Sequence, residues 1–191
     1  MYSPSKAMST AEISNLRPIA LVGMMGTGKT SIGRLLAARL HRPFHDSDEA
    51  VEQQAGMHLD RIFTDRGEAA FRELERQAIQ HALTLGPIVL ATGGGAFCDR
   101  ETRQLLLARA VTIWLHASPE TLAQRLQGDT QRPLLTNQEP LPALRRLLTE
   151  REPAYRQAHL KVETDGLGLE DSTEALLRAI TRGSTHLPDR R

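Results

Sequence analysis

Short apolar segments alternate along the chain with longer stretches in which apolar residues recur every three or four positions. The short segments are typical of buried parallel strands, and the longer ones indicate amphipathic helices. Strands are predicted at 18–23, 43–46, 87–91, 111–116 and 159–163. Helices are predicted at 29–40, 48–56, 58–65, 67–85, 99–109, 118–127, 141–157 and 169–182. This alternation predicts an α/β fold in which helices cover both faces of a parallel sheet.

The loop after the first predicted strand carries a phosphate-binding pattern. Residues 23–30 fit G-x-x-x-x-G-K-[ST], with an apolar strand before them and a helical pattern after. The glycines let backbone N–H groups surround phosphate oxygens, and the helix N-terminus adds its positive dipole end. Lys29 is expected to reach the β- and γ-phosphates, and the Thr30 hydroxyl to ligate Mg²⁺. The sequence therefore predicts a protein that binds a nucleoside triphosphate.

Composition narrows the class of protein. The 191 residues carry a formal net charge of +1, with 24 Lys and Arg against 23 Asp and Glu. This balance gives no electrostatic case for nucleic acid or an anionic membrane as a partner. The one cysteine, Cys98, excludes an internal disulfide framework and fits a reducing, cytoplasmic compartment. A thiol there could be a nucleophile, but a small buried filler is the favoured interpretation.

The chain is predicted to form one domain over residues 17–182. Residues 1–16 lack the apolar core of a secretory signal and are interpreted as a disordered leader, and 183–191 as a loose tail. Residues 126–140 are polar and broken by prolines, which favours a mobile lid over a binding loop or disorder.

Two carboxylates follow the second predicted strand, at Asp46 and Asp48. If this stretch is extended, the two side chains point to the same side, at the sheet edge where ligands bind. One could then order Mg²⁺ through its waters while the other holds a substrate hydroxyl. The alternative is that Asp46 or Ser47 simply caps the next helix.

Three consecutive glycines, Gly93, Gly94 and Gly95, follow the third predicted strand. Such a run costs conformational entropy, and a plain turn needs one or two glycines. The run therefore indicates that a ligand approaches the bare backbone there.

Two arginines are candidate ligands for an anion. Arg72 lies beside the apolar stripe of its predicted helix, where an exposed ion pair with Glu75 is an equally good account. Arg151 falls seven residues after Leu144, within an apolar stripe, so it needs an anionic partner. That partner is either a bound carboxylate or an internal acid.

Six motifs occur in the order found in shikimate kinases, a family that the chain resembles over about residues 17–165. The motifs are G-x-x-G-x-G-K-[ST], D-S-D, G-E-x-x-F-R-x-x-E, G-G-G, R-P-L-L and R-x-P-x-Y. The resemblance implies ATP-dependent phosphorylation of the shikimate 3-hydroxyl, in aromatic amino-acid biosynthesis. It also implies a P-loop NTPase fold similar to nucleoside monophosphate kinases: three α/β/α layers, a five-stranded parallel sheet and a mobile lid.

The resemblance also implies roles for individual residues. The implied shikimate ligands are Asp48, Arg72, Gly93, Gly94, Gly95 and Arg151, within a substrate-binding part at about 47–75 and beyond. The implied ATP ligands are Gly26, Thr27, Gly28, Lys29, Thr30, Ser31, Arg125 on the adenine side, and Arg132 of the lid. Thr30, and Asp46 through water, are the implied Mg²⁺ ligands, and Lys29, Asp48 and Arg132 the catalytic groups.

Two alternatives remain at this point. A kinase for another small hydroxy acid, such as gluconate, would use the same paired arginines and aspartate. An ATP-binding regulatory module would lack a catalytic part, and none is missing. RNA binding is disfavoured because aromatic residues make up only 4% of the chain. We expect a monomer that acts on shikimate, without nucleic acid or membrane partners.

Overall fold

The computed structural model describes residues 17–127 and 140–183. In these ranges five strands form one parallel sheet in the order β2-β3-β1-β4-β5. The strands are β1 (Ile19–Val22), β2 (Phe44–Asp46), β3 (Val89–Ala91), β4 (Val111–His116) and β5 (Leu160–Glu163). All five predicted strands are confirmed, with small differences at their ends.

Seven α-helices connect and cover the strands in the described part of the chain. They are α1 (Lys29–Leu40), α2 (Ser47–Ala55), α3 (Leu59–Ala82), α4 (Arg100–Arg109), α5 (Pro119–Arg125), α6 (Pro140–Tyr155) and α7 (Leu169–Gly183). The two helices predicted at 58–65 and 67–85 are the two halves of α3, which is interrupted at Gly67 (φ 79°, ψ 170°). A short 3₁₀ helix at Ala96–Cys98 was not predicted.

The two faces of the sheet bury separate apolar clusters, as the alternation of side chains along a strand requires. In β1, Ala20 and Val22 join the cluster under α4, α5 and α6, whereas Ile19 and Leu21 join the one under α1 and α7. Trp114 of β4 is 2% exposed and belongs to the first of these clusters. The result is the predicted three-layer α/β/α fold.

A third apolar cluster lies between α2 and α3, away from the sheet. Its buried members are Val51, Ile62, Phe71 and Ala78. This cluster joins α2 to both halves of α3, and thereby fixes the part of the chain predicted to bind the substrate.

The order of the strands determines where ligands can bind. β1 is central, with β3 on one side and β4 on the other, so connections leave it in both directions. Parallel sheets bind ligands in the crevice at the carboxyl ends of strands around such a switch point. The phosphate loop after β1, Asp46 at the end of β2 and the glycines after β3 all lie at that edge.

Several predictions fall on other parts of the chain. The leader at 1–16, the tail beyond 183 and most of the lid at 126–140, including Arg132, lie outside the described residues. In the ranges that are described, no helix has the length and apolarity that a membrane crossing requires.

Candidate active site

The phosphate loop depends on glycine conformations. Gly23, Gly26 and Gly28 have φ values of 140°, 79° and 83°, in a region that other residues rarely adopt. A Cβ on Gly23 would lie 2.4 Å from the carbonyl oxygen of Leu115. The loop can therefore pass close to β4 and turn into α1 only with glycine at these positions.

Lys29 folds back over the loop that precedes it. Its ammonium donates hydrogen bonds to the carbonyl oxygens of Gly23 and Met24, at 2.9 and 2.8 Å. Thr27 is 1% exposed, and its hydroxyl donates to the Met24 carbonyl, so its side chain braces the loop from inside. The Lys29 side chain thus lies against the surface that is predicted to hold phosphates.

Thr30 and Asp46 lie together at the start of α1 and the end of β2. The Thr30 hydroxyl donates to Asp46 Oδ2 at 2.8 Å, while Oδ1 of the same carboxylate accepts from the backbone N–H of Asp48 at 3.0 Å. The hydroxyl and carboxylate offer only hard oxygen donors, which suit Mg²⁺. The residues present therefore fit the predicted ion.

Residues 46–48 are not extended, so the condition under which Asp46 and Asp48 would point to the same side is not met. Ser47 already begins α2, because the carboxylate of Asp46 caps the helix and turns the chain out of the strand. The capping alternative is therefore correct for Asp46, which also reaches Thr30 with its second oxygen. Asp48 still faces the crevice, from the first turn of a helix.

The glycines after β3 make room for side chains from α2 and α3. A Cβ on Gly93 would lie 2.4 Å from Glu75 Oε1 and 2.6 Å from Asp48 Oδ1, and one on Gly95 would lie 2.5 Å from a terminal nitrogen of Arg72. The N–H of Gly93 donates to the Ser47 hydroxyl at 2.9 Å. In the described structure, the groups that approach the bare backbone are the protein's own polar side chains.

Arg72 pairs with an acid that is buried. Its guanidinium donates to Glu75 Oε2 at 2.7 Å, so the two residues do form the ion pair that the sequence offered as one alternative, but Glu75 is 1% exposed rather than at the surface. Burial raises the pKa of Glu75 to about 7, against the lowering effect of Arg72. Sequence reasoning did not select Glu75 as a site residue, although it shares the helical spacing of the buried Phe71 and Ala78.

Arg151 reaches the glycine run from the opposite side. Its guanidinium donates to the Gly94 carbonyl at 3.3 Å, and the Tyr155 hydroxyl donates to the same oxygen. Arg151 is half-buried, and α6 continues through Pro153 to Tyr155, which is buried. Burial raises the pKa of the Tyr155 phenol, which keeps it a neutral hydrogen-bond donor.

Two clefts of about 360 Å³ each open at this edge of the sheet. The nucleotide cleft is lined by Met25, Gly26, Gly28, Lys29, Thr30, Ser31, Asp46, Asp48, Thr92, Gly94, Arg125 and Leu126. The acceptor cleft is lined by Met25, Asp48, Leu59, Asp60, Phe63, Glu68, Phe71, Arg72, Glu75, Gly93, Gly94, Gly95 and Arg151. Met25, Asp48 and Gly94 line both, so the two clefts meet at Asp48.

Arg125 lines the nucleotide cleft from the end of α5. Its guanidinium donates to the carbonyl oxygens of Thr164 at 2.6 Å and Leu167 at 3.3 Å. These bonds hold it against the loop after β5. The other arginine predicted for the nucleotide, Arg132, lies outside the described residues.

A phosphate on the loop and a small molecule in the acceptor cleft would meet beside the carboxylate of Asp48. Fold and site together define a phosphate-loop kinase that acts on a small molecule. The chain belongs to the shikimate kinase family, whose sequence model matches residues 25–181.

Individual relatives agree with this assignment. A shikimate kinase of Nitrobacter winogradskyi is 51% identical over 76% of this chain and 68% of its own length. The structure of "Shikimate kinase from Acinetobacter baumannii in complex with shikimate" is 37% identical, with a TM-score of 0.85 over 91% of this chain and 97% of its own. A gluconokinase of Sinorhizobium meliloti is 20% identical, with a TM-score of 0.60 over 88% and 94%, which shows a shared fold alone.

The family assignment gives the reaction. The chain transfers a phosphoryl group from ATP to the 3-hydroxyl of shikimate, in the synthesis of aromatic amino acids, and uses Mg²⁺. This confirms the predicted function, in preference to a gluconate kinase or a module without turnover.

Proposed function

We propose that Arg72 and Arg151 bind the carboxylate of shikimate in the acceptor cleft, while Asp48 accepts hydrogen bonds from its ring hydroxyls. The observation that carries this proposal is the arrangement of the two guanidinium groups around the glycine run. They come from α3 and α6, and each lies against a different glycine of that run. Charge-assisted hydrogen bonds from planar guanidinium groups are the strongest way to hold a carboxylate.

The position of Asp48 suits a role in orienting the acceptor hydroxyl. It lines both clefts, so a hydroxyl that donates to it would face a phosphate held on the loop. A carboxylate in that place can also take the proton that the hydroxyl loses as the new bond forms. Most of the rate enhancement would come from holding the reacting groups in line.

The phosphates of ATP would be held by the backbone of residues 26–31 and by Lys29. To reach them, the Lys29 ammonium exchanges its bonds to the Gly23 and Met24 carbonyls for bonds to phosphate oxygens. Thr30, and Asp46 through water, would hold Mg²⁺, which neutralises charge on the phosphates when bound. Lys29 stabilises the charge that develops on the transferring group.

Three further assignments rest on the resemblance of the motifs. Arg132 closes on the transferring phosphate, Arg125 lies beside the adenine, and residues 126–140 act as a lid. The near-zero net charge favours an enzyme without nucleic acid or membrane partners, and the single cysteine fits the cytoplasm. We also propose that the enzyme is a monomer.

Alanine substitution of the two arginines tests the substrate site. Arg72→Ala and Arg151→Ala should each weaken shikimate binding by about tenfold to a hundredfold, because a charge-assisted hydrogen bond contributes roughly 1.5–3 kcal/mol. ATP affinity should change little, and lysine should restore binding poorly because it lacks the planar fork. Titration calorimetry with each ligand separates the two effects.

Arg76→Ala is the matched control, because Arg76 lies on the same helix but pairs with Glu73 and Glu101 outside both clefts. It should leave shikimate affinity unchanged. A shikimate analogue without the carboxylate should bind the wild type and both alanine variants about equally weakly. Unchanged shikimate affinity in Arg72→Ala and Arg151→Ala, or a loss of ATP affinity instead, would show that the proposed substrate site is wrong.

A further inference from the structure

Glu75 is a buried acid beneath the acceptor cleft, directly behind Arg72. Its Oε2 accepts from Arg72 at 2.7 Å, and its Oε1 is buried with no hydrogen-bond partner among residues 17–127 and 140–183. That oxygen lies at the Gly93 backbone, 2.4 Å from where a Cβ would stand. Arg72 contacts only Oε2, so an ionised Glu75 would leave negative charge on the buried Oε1 without a hydrogen bond. Protonation of the carboxyl group removes that cost.

Charged groups from three other parts of the fold surround this carboxyl. Asp48 of α2 and Asp99, which precedes α4, both disfavour its ionised form, and burial is the largest cause of its raised pKa of about 7. Arg72 is the group that favours ionisation. On the far side of Gly94, Arg151 of α6 lies against the same turn. The charge of Glu75 at neutral pH therefore depends on how strongly it interacts with the guanidinium of Arg72.

A second anion on Arg72 changes that balance. The carboxylate of shikimate would take part of the hydrogen bonding and the field of the guanidinium, and would add a negative charge nearby. We infer that Glu75 takes up one proton when shikimate binds, so that substrate binding is coupled to protonation of this buried carboxyl. A proton from solvent adds to a carboxylate oxygen of Glu75, and no other bond is made or broken. The inference rests on the proposed contact between Arg72 and the substrate carboxylate.

The pH range follows from linkage. Below about pH 6 Glu75 is already protonated in the free enzyme, so binding takes up no proton there. In the free enzyme it is about half ionised at pH 7 and mostly ionised by pH 8, and we expect it to be protonated when shikimate is bound. Shikimate affinity should therefore fall with rising pH in this range, by up to about tenfold per pH unit. The substrate carboxylate is ionised throughout, since an ordinary carboxyl pKa is near 4.

Calorimetry of the full chain in two buffers of different ionisation enthalpy measures this uptake. At pH 7.5 we expect shikimate binding to take up roughly half a proton or more in the wild type. Glu75→Gln should take up almost none, and its shikimate affinity should lose most of its pH dependence. Glu73→Gln is the matched control, because Glu73 lies on the same helix but pairs with Arg76 outside both clefts. Glu73→Gln should take up as many protons as the wild type.

Infrared difference spectra need only the wild-type protein, so they test the inference even if Glu75→Gln does not fold. Shikimate binding should produce a protonated-carboxyl band that shifts when glutamate, but not aspartate, is labelled with ¹³C. A wild type that takes up no proton, a band insensitive to glutamate labelling, or undiminished uptake in folded Glu75→Gln would each overturn the inference. These results differ from the result expected if the proposed substrate site itself is wrong. In that case Arg72→Ala would bind shikimate as tightly as the wild type.

Discussion

The nucleotide cleft and the acceptor cleft share an edge of the sheet but are built in different ways. The nucleotide cleft is largely one continuous loop and the first turn of α1, held by glycine conformations and by bonds from Lys29 and Thr27 to nearby carbonyls. The acceptor cleft brings side chains from α2, α3 and α6 against the glycine backbone after β3. In the proposed function, backbone would bind the phosphates, and side chains distant in sequence would bind the acceptor.

Because of this difference, the two clefts should be sensitive to different kinds of substitution. A loop that binds through backbone N–H groups tolerates many side chains but few changes of backbone conformation. A cleft made from four separate elements depends on packing, so a single added methyl group can displace several of its members. Substitutions in the two clefts should therefore fail in different ways.

The largest effect is expected at Lys29, the main side-chain charge of the nucleotide cleft. Lys29→Ala should lower kcat by about two to four orders of magnitude, because groups of this kind contribute about 3–4 kcal/mol or more to transition-state stabilisation. A steady-state assay of ADP release measures this. Lys161→Ala is the control, since Lys161 lies over the Trp114 ring outside both clefts and should leave kcat unchanged. Near wild-type turnover in a folded Lys29→Ala would reject the phosphate-loop assignment.

A second prediction concerns Arg132 and the predicted lid, and it rests on the sequence motif alone. Arg132→Ala should lower kcat by about tenfold to a hundredfold and change shikimate affinity less, because its charge acts on the departing phosphoryl group. Hydrogen exchange should also slow across 128–139 when an ATP analogue and shikimate bind together. Exchange that ignores both ligands would mean that this segment is a linker.

A third prediction separates the clefts through the glycine run. Gly93→Ala should raise the KM for shikimate by about tenfold or more and the KM for ATP far less, because its Cβ would collide with Glu75 and Asp48. Gly168→Ala is the control, since a Cβ there meets nothing within 4 Å and the backbone is not in the left-handed region. Equal increases in both KM values would contradict the division between the clefts.

The last prediction concerns the stability of the free enzyme rather than catalysis. Since the pKa of Glu75 rises from 4.5 to about 7 on folding, the folded state binds more protons than the unfolded state between these values. This contribution is fully present below about pH 4.5 and lost as the pH rises through 7. Glu75→Gln should reduce the loss of stability over this range by on the order of 2–3 kcal/mol. Urea unfolding of both proteins at pH 5 and 7.5 tests this, and parallel pH profiles would contradict it.

The sequence predicted the sheet and the phosphate loop because their signals are local. β1, β3 and β4 are short, mostly apolar segments, and the loop motif lies between the first strand and its helix. Local reasoning was less reliable at residues 46–48. There the choice between strand and helix depended on the Asp46 cap, which ends the strand at Asp46 and begins the helix at Ser47.

Glu75 shows the same limit more clearly. The sequence left an exposed pair between Glu75 and Arg72 as one of two equal interpretations, although Glu75 has helical spacing from the apolar Phe71 and Ala78. Glu75 is buried because the glycine run after β3 packs against it. A charged residue on a helix is most often exposed, so the sequence pattern alone could not show this burial.

By itself the sequence determined the fold class, the phosphate-loop motif and the family, because hydrophobic periodicity and short motifs are each local patterns in the chain. Only the tertiary structure decided how Asp48, Arg72, Glu75 and Arg151 meet around the glycines after β3. Their distances, and the protonation of the buried acid among them, depend on desolvation and on charges from separate elements. Those quantities exist only once the chain has folded.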